Sequence, residues 1–184
     1  VTCNAIDSRG NAATPVDIPT QVLDTTKPTL TVPSPLTLEA TSAAGAAATF
    51  TVSASDIVDG SMAATCDRNS GDTFDLGTTT VHCQATDAHG NTGTGSFTVT
   101  VQDTTRPGLT PAPAPTTSEP PSAAGASVAY GEPVAIALVD GPVGVICTPV
   151  SGATFALGTT PVHCNATDTR GNSNGATFTV TVQH

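Results

Sequence analysis

The sequence predicts an all-β protein made of tandem antiparallel β-sandwiches, each with one internal disulfide. Three observations predict it. One phrase occurs three times, as "VTCNAIDSRGN" from Val1, "VHCQATDAHGN" from Val81 and "VHCNATDTRGN" from Val162. Cysteines recur in matched pairs, Cys66 with Cys83 and Cys147 with Cys164, each pair 17 residues apart. Apolar and polar residues alternate with a period of two between clusters of Gly, Pro, Asn and Asp, as in short half-buried strands joined by tight turns. The composition agrees. With 17 glycines, 15 prolines and 3% aromatics in 184 residues, no window shows a convincing helical period.

The repeat sets the domain organisation, because self-similarity at a fixed long period marks an array of like units. The three copies step by 80 and then 81 residues, and other landmarks keep pace. "DTTKP" starts at Asp24 and "DTTRP" at Asp103; "SAAGA" starts at Ser42 and Ser122; "FTVTVQ" fills 97–102 and 178–183. Residues 24–102 are therefore one sandwich and residues 103–184 a second, while residues 1–23 read as the C-terminal strand pair of a truncated repeat. This frame accounts for the fifth cysteine. Cys3 holds the position of Cys83 and Cys164 and is unpaired within this chain, its mate falling before residue 1. Two thiols per unit without a close Cys-Cys spacing do not complete a tetrahedral metal site. Regular pairing implies disulfides and an oxidising compartment. A loop of this size adds ~3 kcal/mol in the chain-entropy model.

Within 24–102 the elements follow in order. Residues 29–40 read as an edge strand broken by Pro33 and Pro35, since proline withholds a ladder donor. Residues 46–56 read as a central strand with Phe50 and Val52 inward, 61–66 as a third strand and 72–77 as a short fourth. In 80–87, Val81, Cys83 and Ala85 fall on one face and His82, Gln84 and Thr86 on the other. In 96–102, Phe97, Val99 and Val101 share a face. Between these strands lies a tight hairpin connection, in which Asp bonds its own downstream backbone and Gly supplies positive φ. Its turn-forming residues are Asp87, Gly90 and Asn91, repeated as Asp7, Gly10 and Asn11 and as Asp168, Gly171 and Asn172. Phe74 with Phe155, Phe97 with Phe178, and Phe50 with Tyr130 are matched core positions. In the last unit the proline-rich stretch 110–121 replaces the first edge strand and favours extended, poorly laddered chain.

The unit resembles the hyalin repeat (HYR) domain, an immunoglobulin-like module. The family pattern has an Asp-x-Thr-x-Pro opening and an Asp-Gly before the first Cys. It continues with Ser-Gly-x-x-Phe-x-x-Gly, Val-x-Cys-x-Ala-x-Asp-x-x-Gly-Asn and a closing Phe-x-Val-x-Val. Asp59-Gly60, Gly71, Phe74, Gly77, Val81, Cys83, Asp87, Gly90, Asn91, Phe97 and Val99 match in 24–102. Asp140-Gly141, Gly152, Phe155, Gly158, Val162, Cys164, Asp168, Gly171, Asn172, Phe178 and Val180 match in 103–184. The resemblance implies extracellular tandem modules linked to adhesion and brings no catalytic residues with it.

Charge and motif content narrow the function. The formal charge is −10, from 5 Lys+Arg against 15 Asp+Glu, and no basic stripe offsets it. Nucleic acid and direct membrane insertion are set aside as partners. His82 and His163 read as exposed strand residues, and His89 falls at a turn position held by Arg9 and Arg170 in the other copies. One turn Asp per domain has no paired acid for glycosidase chemistry. No His-Glu-x-x-His occurs, no catalytic residue is assigned, and the chain is read as non-enzymatic. No cofactor or metal is assigned either. Calcium is the one ion with candidates, Asp24, Asp56, Asp59 and Asp103 near strand ends and unit junctions, and these are read as bare solvated acids.

The expected function is an extracellular structural and adhesion array of HYR-like domains, secreted or cell-surface. In its sharper form it is the repeating subunit of a surface filament joined by inter-subunit strand complementation, because two strands alone are marginal in water. Its partners are copies of itself or neighbouring repeats of the same chain, with cell-surface or matrix proteins beyond them. The alternative is an accessory or ligand-binding module of a larger secreted protein or enzyme.

Overall fold

The computed structural model describes residues 1–110, 117–118 and 125–183, and among them every regular element is a strand. The chain forms two compact units. The first comprises Val1–Thr31, Val52–Thr65 and Cys83–Gly95; the second comprises Val32–Thr51, Cys66–His82 and Ser96–His184. Residues 24–102 contribute to both, because their two longest strands run through the division.

Residues 1–23 hold β1 (Thr2–Cys3) and β2 (Val16–Asp17), paired antiparallel with Cys3 opposite Val16. The next repeat holds β3 (Thr29–Thr31), β4 (Leu36–Glu39), β5 (Ala46–Ala47), β6 (Ser53–Asp56) and β7 (Gly60–Met62). It continues with β8 (Thr65–Cys66), β9 (Thr73–Phe74), β10 (Gly77–Thr86) and β11 (Thr92–Gln102). The last holds β12 (Gly108–Leu109), β13 (Thr117–Ser118), β14 (Ala126–Ser127), β15 (Ala135–Ala137) and β16 (Gly141–Val143), then β17 (Val145–Thr148), β18 (Thr154–Phe155), β19 (Gly158–Thr167) and β20 (Ser173–Val182).

Both repeats share one topology. Three strands order β3-β6-β7 and β12-β15-β16, four order β4-β11-β10-β8 and β13-β20-β19-β17, and a short pair joins β5 to β9 and β14 to β18. This is an all-β, immunoglobulin-like sandwich with one disulfide per repeat. Among the described residues each repeat has a parallel pair, β4 on β11 with Leu36 opposite Val99, and β13 on β20.

Three stretches read as single strands are each divided between sheets. Residues 29–40 split into β3 and β4, with Pro33 and Pro35 in the crossing where no ladder donor is required. Residues 46–56 split into β5 and β6. Between them the backbone bonds a loop: the Ala48 N–H donates to Asp72 O at 3.1 Å, and the Phe50 N–H to Ser70 Oγ at 2.9 Å. Phe50 and Val52 are half-buried rather than fully inward. Residues 61–66 likewise contribute to β7 and β8. Most of the 110–121 stretch lies outside the described residues; Thr117–Ser118 within it forms β13.

Alternation places the core. Phe74, Val81, Val99 and Val101 are buried in one repeat, and Phe155, Val162, Val180 and Val182 in the other. Tyr130 packs edge-on to Phe178 at 5.0 Å between ring centres, and Phe50 edge-on to Phe97 at 4.8 Å. The Tyr130 hydroxyl donates to Pro149 O, and burial, followed by the Glu132 charge, pushes the phenol above its ordinary range. Cys147 and Cys164 sit directly opposite each other on β17 and β19 and are bonded. Gly45 has φ +100, and a Cβ there would lie 1.9 Å from Phe74 O, so the Ser42–Gly45 turn closes against β9 only with glycine.

Candidate cation site

Construction of the site begins with the repeated turn. Asp87 Oδ1 accepts from the His89 and Asn91 N–H groups at 2.9 and 2.8 Å, and Oδ2 accepts from Asn91 Nδ2 at 2.7 Å. Asp168 is held in the same way by Arg170 and Asn172, and Asp7 by Arg9 and Asn11. The glycines that close these turns, Gly90, Gly171 and Gly10, all have φ near +87. Burial raises the carboxyl pKa of Asp87 and of Asp168. The Asn91 or Asn172 amide and the turn N–H groups outweigh it, so both lie below the ordinary carboxylate range.

The turn asparagine also reaches the opening of its repeat. Asn91 Nδ2 donates to Asp24 O at 3.2 Å, and Asn172 Nδ2 to Asp103 O at 3.1 Å. This draws the Asp-Thr-Thr opening onto the turn. Asp24 Oδ1 accepts from the Thr26 N–H at 2.9 Å, and Asp103 Oδ1 from the Thr105 N–H at 3.1 Å. The β6–β7 turn brings the remaining acids. Asp56 Oδ1 accepts from the Val58 N–H at 2.7 Å, and Asp59 Oδ2 from the Ala88 N–H at 3.3 Å. At the corresponding turn of the last repeat, Asp140 accepts from the N–H and hydroxyl of Thr169, at 3.0 and 2.7 Å.

Two acid clusters result. Asp24, Asp56 and Asp87 present carboxylate oxygens within 4.8 Å of one another, and so do Asp103, Asp140 and Asp168. Asp24, Asp59 and His89 form an overlapping group. His89 Nδ1 lies 3.6 Å from Asp24 Oδ2 and 3.4 Å from Asp59 Oδ2.

The reading of Asp24, Asp56 and Asp103 as solvated acids is overturned. The side chain of Asp24 is 5% exposed, and Asp56 and Asp103 are 8% and 7% exposed, because the turns fold over them. Asp59 remains exposed. Asp87, Asp168, Asp140 and His89, left out of the candidate ligands, stand in or beside the clusters. The recurrence of Asp87 and Asp168 was visible in the sequence, but a turn role accounted for it. His82 and His163 are exposed on β10 and β19 and belong to neither cluster. Cys3 is an exposed free thiol, while Cys66, Cys83, Cys147 and Cys164 are all disulfide-bonded.

A model of the HYR domain matches residues 23–101 and again residues 102–182. No curated protein matches the chain. Among solved structures, the protocadherin gammaB7 EC3-6 cis-dimer is 14% identical with a TM-score of 0.38, over 98% of this chain and 56% of that one. The extracellular cadherin domains 3-6 of protocadherin gamma B2 are 15% identical with a TM-score of 0.38, over 97% and 55%. This chain spans about half the length of those two.

Proposed function

The chain belongs to the HYR domain family, and from that premise we propose that it is an extracellular structural and adhesion array in which residues 1–23 are the joint to further strands. A disulfide in each repeat supports an oxidising compartment. No helix among the described residues is long and apolar enough to cross a membrane. The role is mechanical and adhesive rather than enzymatic.

One observation carries the joint. Val81 and Val162 are fully buried, while Val1, in the same place in the phrase, is 75% exposed. Val162 pairs with Phe178 across β19 and β20, and Val1 is bonded likewise through the Ile18 N–H, yet Ile18 is also exposed. Ile6, Val16, Val22 and Leu23 are exposed as well. Each such side chain contributes about 1.5–3 kcal/mol when fully buried. A hairpin with that much uncovered surface is completed by partner strands. In the filament form of this reading a neighbouring subunit supplies them, and Cys3 bonds a cysteine on the incoming strands.

Peptide mapping of native material without reduction tests the joint. Cys3 is expected in a disulfide with a cysteine other than the four paired within the two complete repeats. A fully reduced Cys3 in material whose other cysteines are oxidised removes the reading. Electron micrographs of the same material separate filaments from single arrays.

A further inference from the structure

We propose that each complete repeat binds a divalent, oxygen-seeking cation, calcium, at its opening: Asp24, Asp56 and Asp87 hold it in one repeat and Asp103, Asp140 and Asp168 in the next. The inference is separate from the joint at residues 1–23.

Acidic clusters alone carry little meaning on a chain with this much negative charge. The second observation is the state of individual oxygens. Asp24 Oδ2, Asp56 Oδ2 and Asp103 Oδ2 are buried and accept no hydrogen bond. A buried carboxylate oxygen without a partner is desolvated with nothing in return, so such atoms are rare and call for an explanation. The opposite oxygen of each of these side chains is fixed by a backbone N–H, from Thr26, Val58 and Thr105 respectively. Each side chain is thereby locked with one oxygen satisfied and the other left over. Asp24 and Asp56 belong to one cluster and Asp103 to the other, so both clusters contain an orphaned oxygen. A cation among them would supply the missing partner and relieve the repulsion between the carboxylates.

The donor set selects the ion. In the last repeat every ligand atom is a carboxylate oxygen, the choice of a hard cation. Ligands drawn from a linker, a hairpin turn and a sheet turn suit the adaptable geometry of calcium better than the strict octahedron of magnesium. His89 offers a competing answer in the first cluster, since a protonated ring would neutralise Asp24 and Asp59. In the last repeat Arg170, itself a cation, takes the equivalent position, yet Asp103 Oδ2 still accepts no hydrogen bond. Nor does His89 supply a partner to Asp56 Oδ2. Ala137 stands where Asp56 does and Asp140 where Asp59 does, so the first repeat has Asp59 beside its three acids while the last has three alone and binds more weakly.

The test uses the whole chain, stripped with EDTA and titrated with calcium chloride while amide NMR shifts and the melting temperature are followed. Sodium chloride at matched ionic strength and magnesium chloride are the controls. Saturable shifts are expected at Thr26, Val58 and Asn91, and at higher calcium at Thr105, Thr169 and Asn172. The melting temperature should rise beyond the sodium control. Asp56→Asn should weaken the first site at least tenfold and leave the second unchanged, and Asp103→Asn should do the reverse. Shifts that track ionic strength alone, or unchanged calcium titrations in both variants, overturn the proposal. If either variant fails to fold, the wild-type shifts decide: localised and saturable shifts uphold it, and diffuse ones sink it.

Discussion

The Glu39 carboxylate accepts from the Thr104 N–H at 2.6 Å and from the Thr104 hydroxyl at 2.9 Å, with the Thr105 hydroxyl adding a third bond at 2.9 Å. Glu39 ends β4, and Thr104 and Thr105 belong to the Asp-Thr-Thr opening of the last repeat. The side chain therefore ties down the first residues after β11, where the Ala40 N–H also donates to Gln102 O at 2.7 Å.

This clamp should be acid-sensitive. The Thr104 N–H foremost, then the Thr105 hydroxyl, hold the Glu39 carboxyl below its ordinary range despite some burial. A folded value below the unfolded one means that folding favours the charged form. The contribution is complete above the ordinary glutamate range and is lost as pH falls through the folded value. In urea unfolding from pH 7 to pH 3, Glu39→Gln should lose less stability than wild type. Equal slopes would show that the clamp contributes nothing. At neutral pH the Thr104 amide should exchange faster in the variant.

Equivalent positions should respond unequally to truncation. Phe178 is buried beside Tyr130, whereas Ile18, at its position in residues 1–23, is exposed. Phe178→Ala should cost about 3–5 kcal/mol. Ile18→Ala should change the stability of the isolated chain by no more than about 0.5 kcal/mol, as surface substitutions do. Denaturant unfolding of the two variants gives the comparison.

Two glycines separate backbone strain from steric contact. Gly71 has φ +97 with nothing within 4 Å of an added Cβ, while Gly45 has φ +100 and would meet Phe74 O at 1.9 Å. Gly71→Ala should cost about 1–2 kcal/mol, the left-handed penalty alone. Gly45→Ala should cost clearly more, because the neighbour is backbone and cannot swing aside. Thermal unfolding of both, followed by circular dichroism, checks the order.

Replacing Cys147 and Cys164 together by serine should remove about 3 kcal/mol through the freed loop of the unfolded chain. The loss should appear as a lower midpoint of the last repeat's transition in calorimetry. A midpoint equal to that of wild type would mean that the β17–β19 ladder holds this edge without the bond.

The inward faces of β10 and β11 were legible because alternation is local. Val81, Cys83 and Ala85, then Phe97, Val99 and Val101, announce a buried face from their spacing alone, and the structure buries each of them. The division of 29–40 and 46–56 between sheets was not legible. A strand that ends and a strand that changes partners leave the same run of apolar and polar letters. Only the prolines at 33 and 35 hinted at the first crossing. The candidate cation site was half visible: Asp24, Asp56, Asp59 and Asp103 stood out as acids at element ends, but Asp87 and Asp168 were fully explained as turn formers.

The sequence by itself determined the repeat, the β class, the cysteine register and the side of each long strand that faces the core, since all of these follow from short-range spacing. Only the tertiary structure decided which acids meet. Asp24, Asp56 and Asp87 are far apart along the chain and converge because the Asn91 amide draws the opening onto the hairpin turn while β6 runs out beside them. Their separation depends on the closure of loops, which no periodicity records. The same closure strips water from one oxygen of Asp24, of Asp56 and of Asp103.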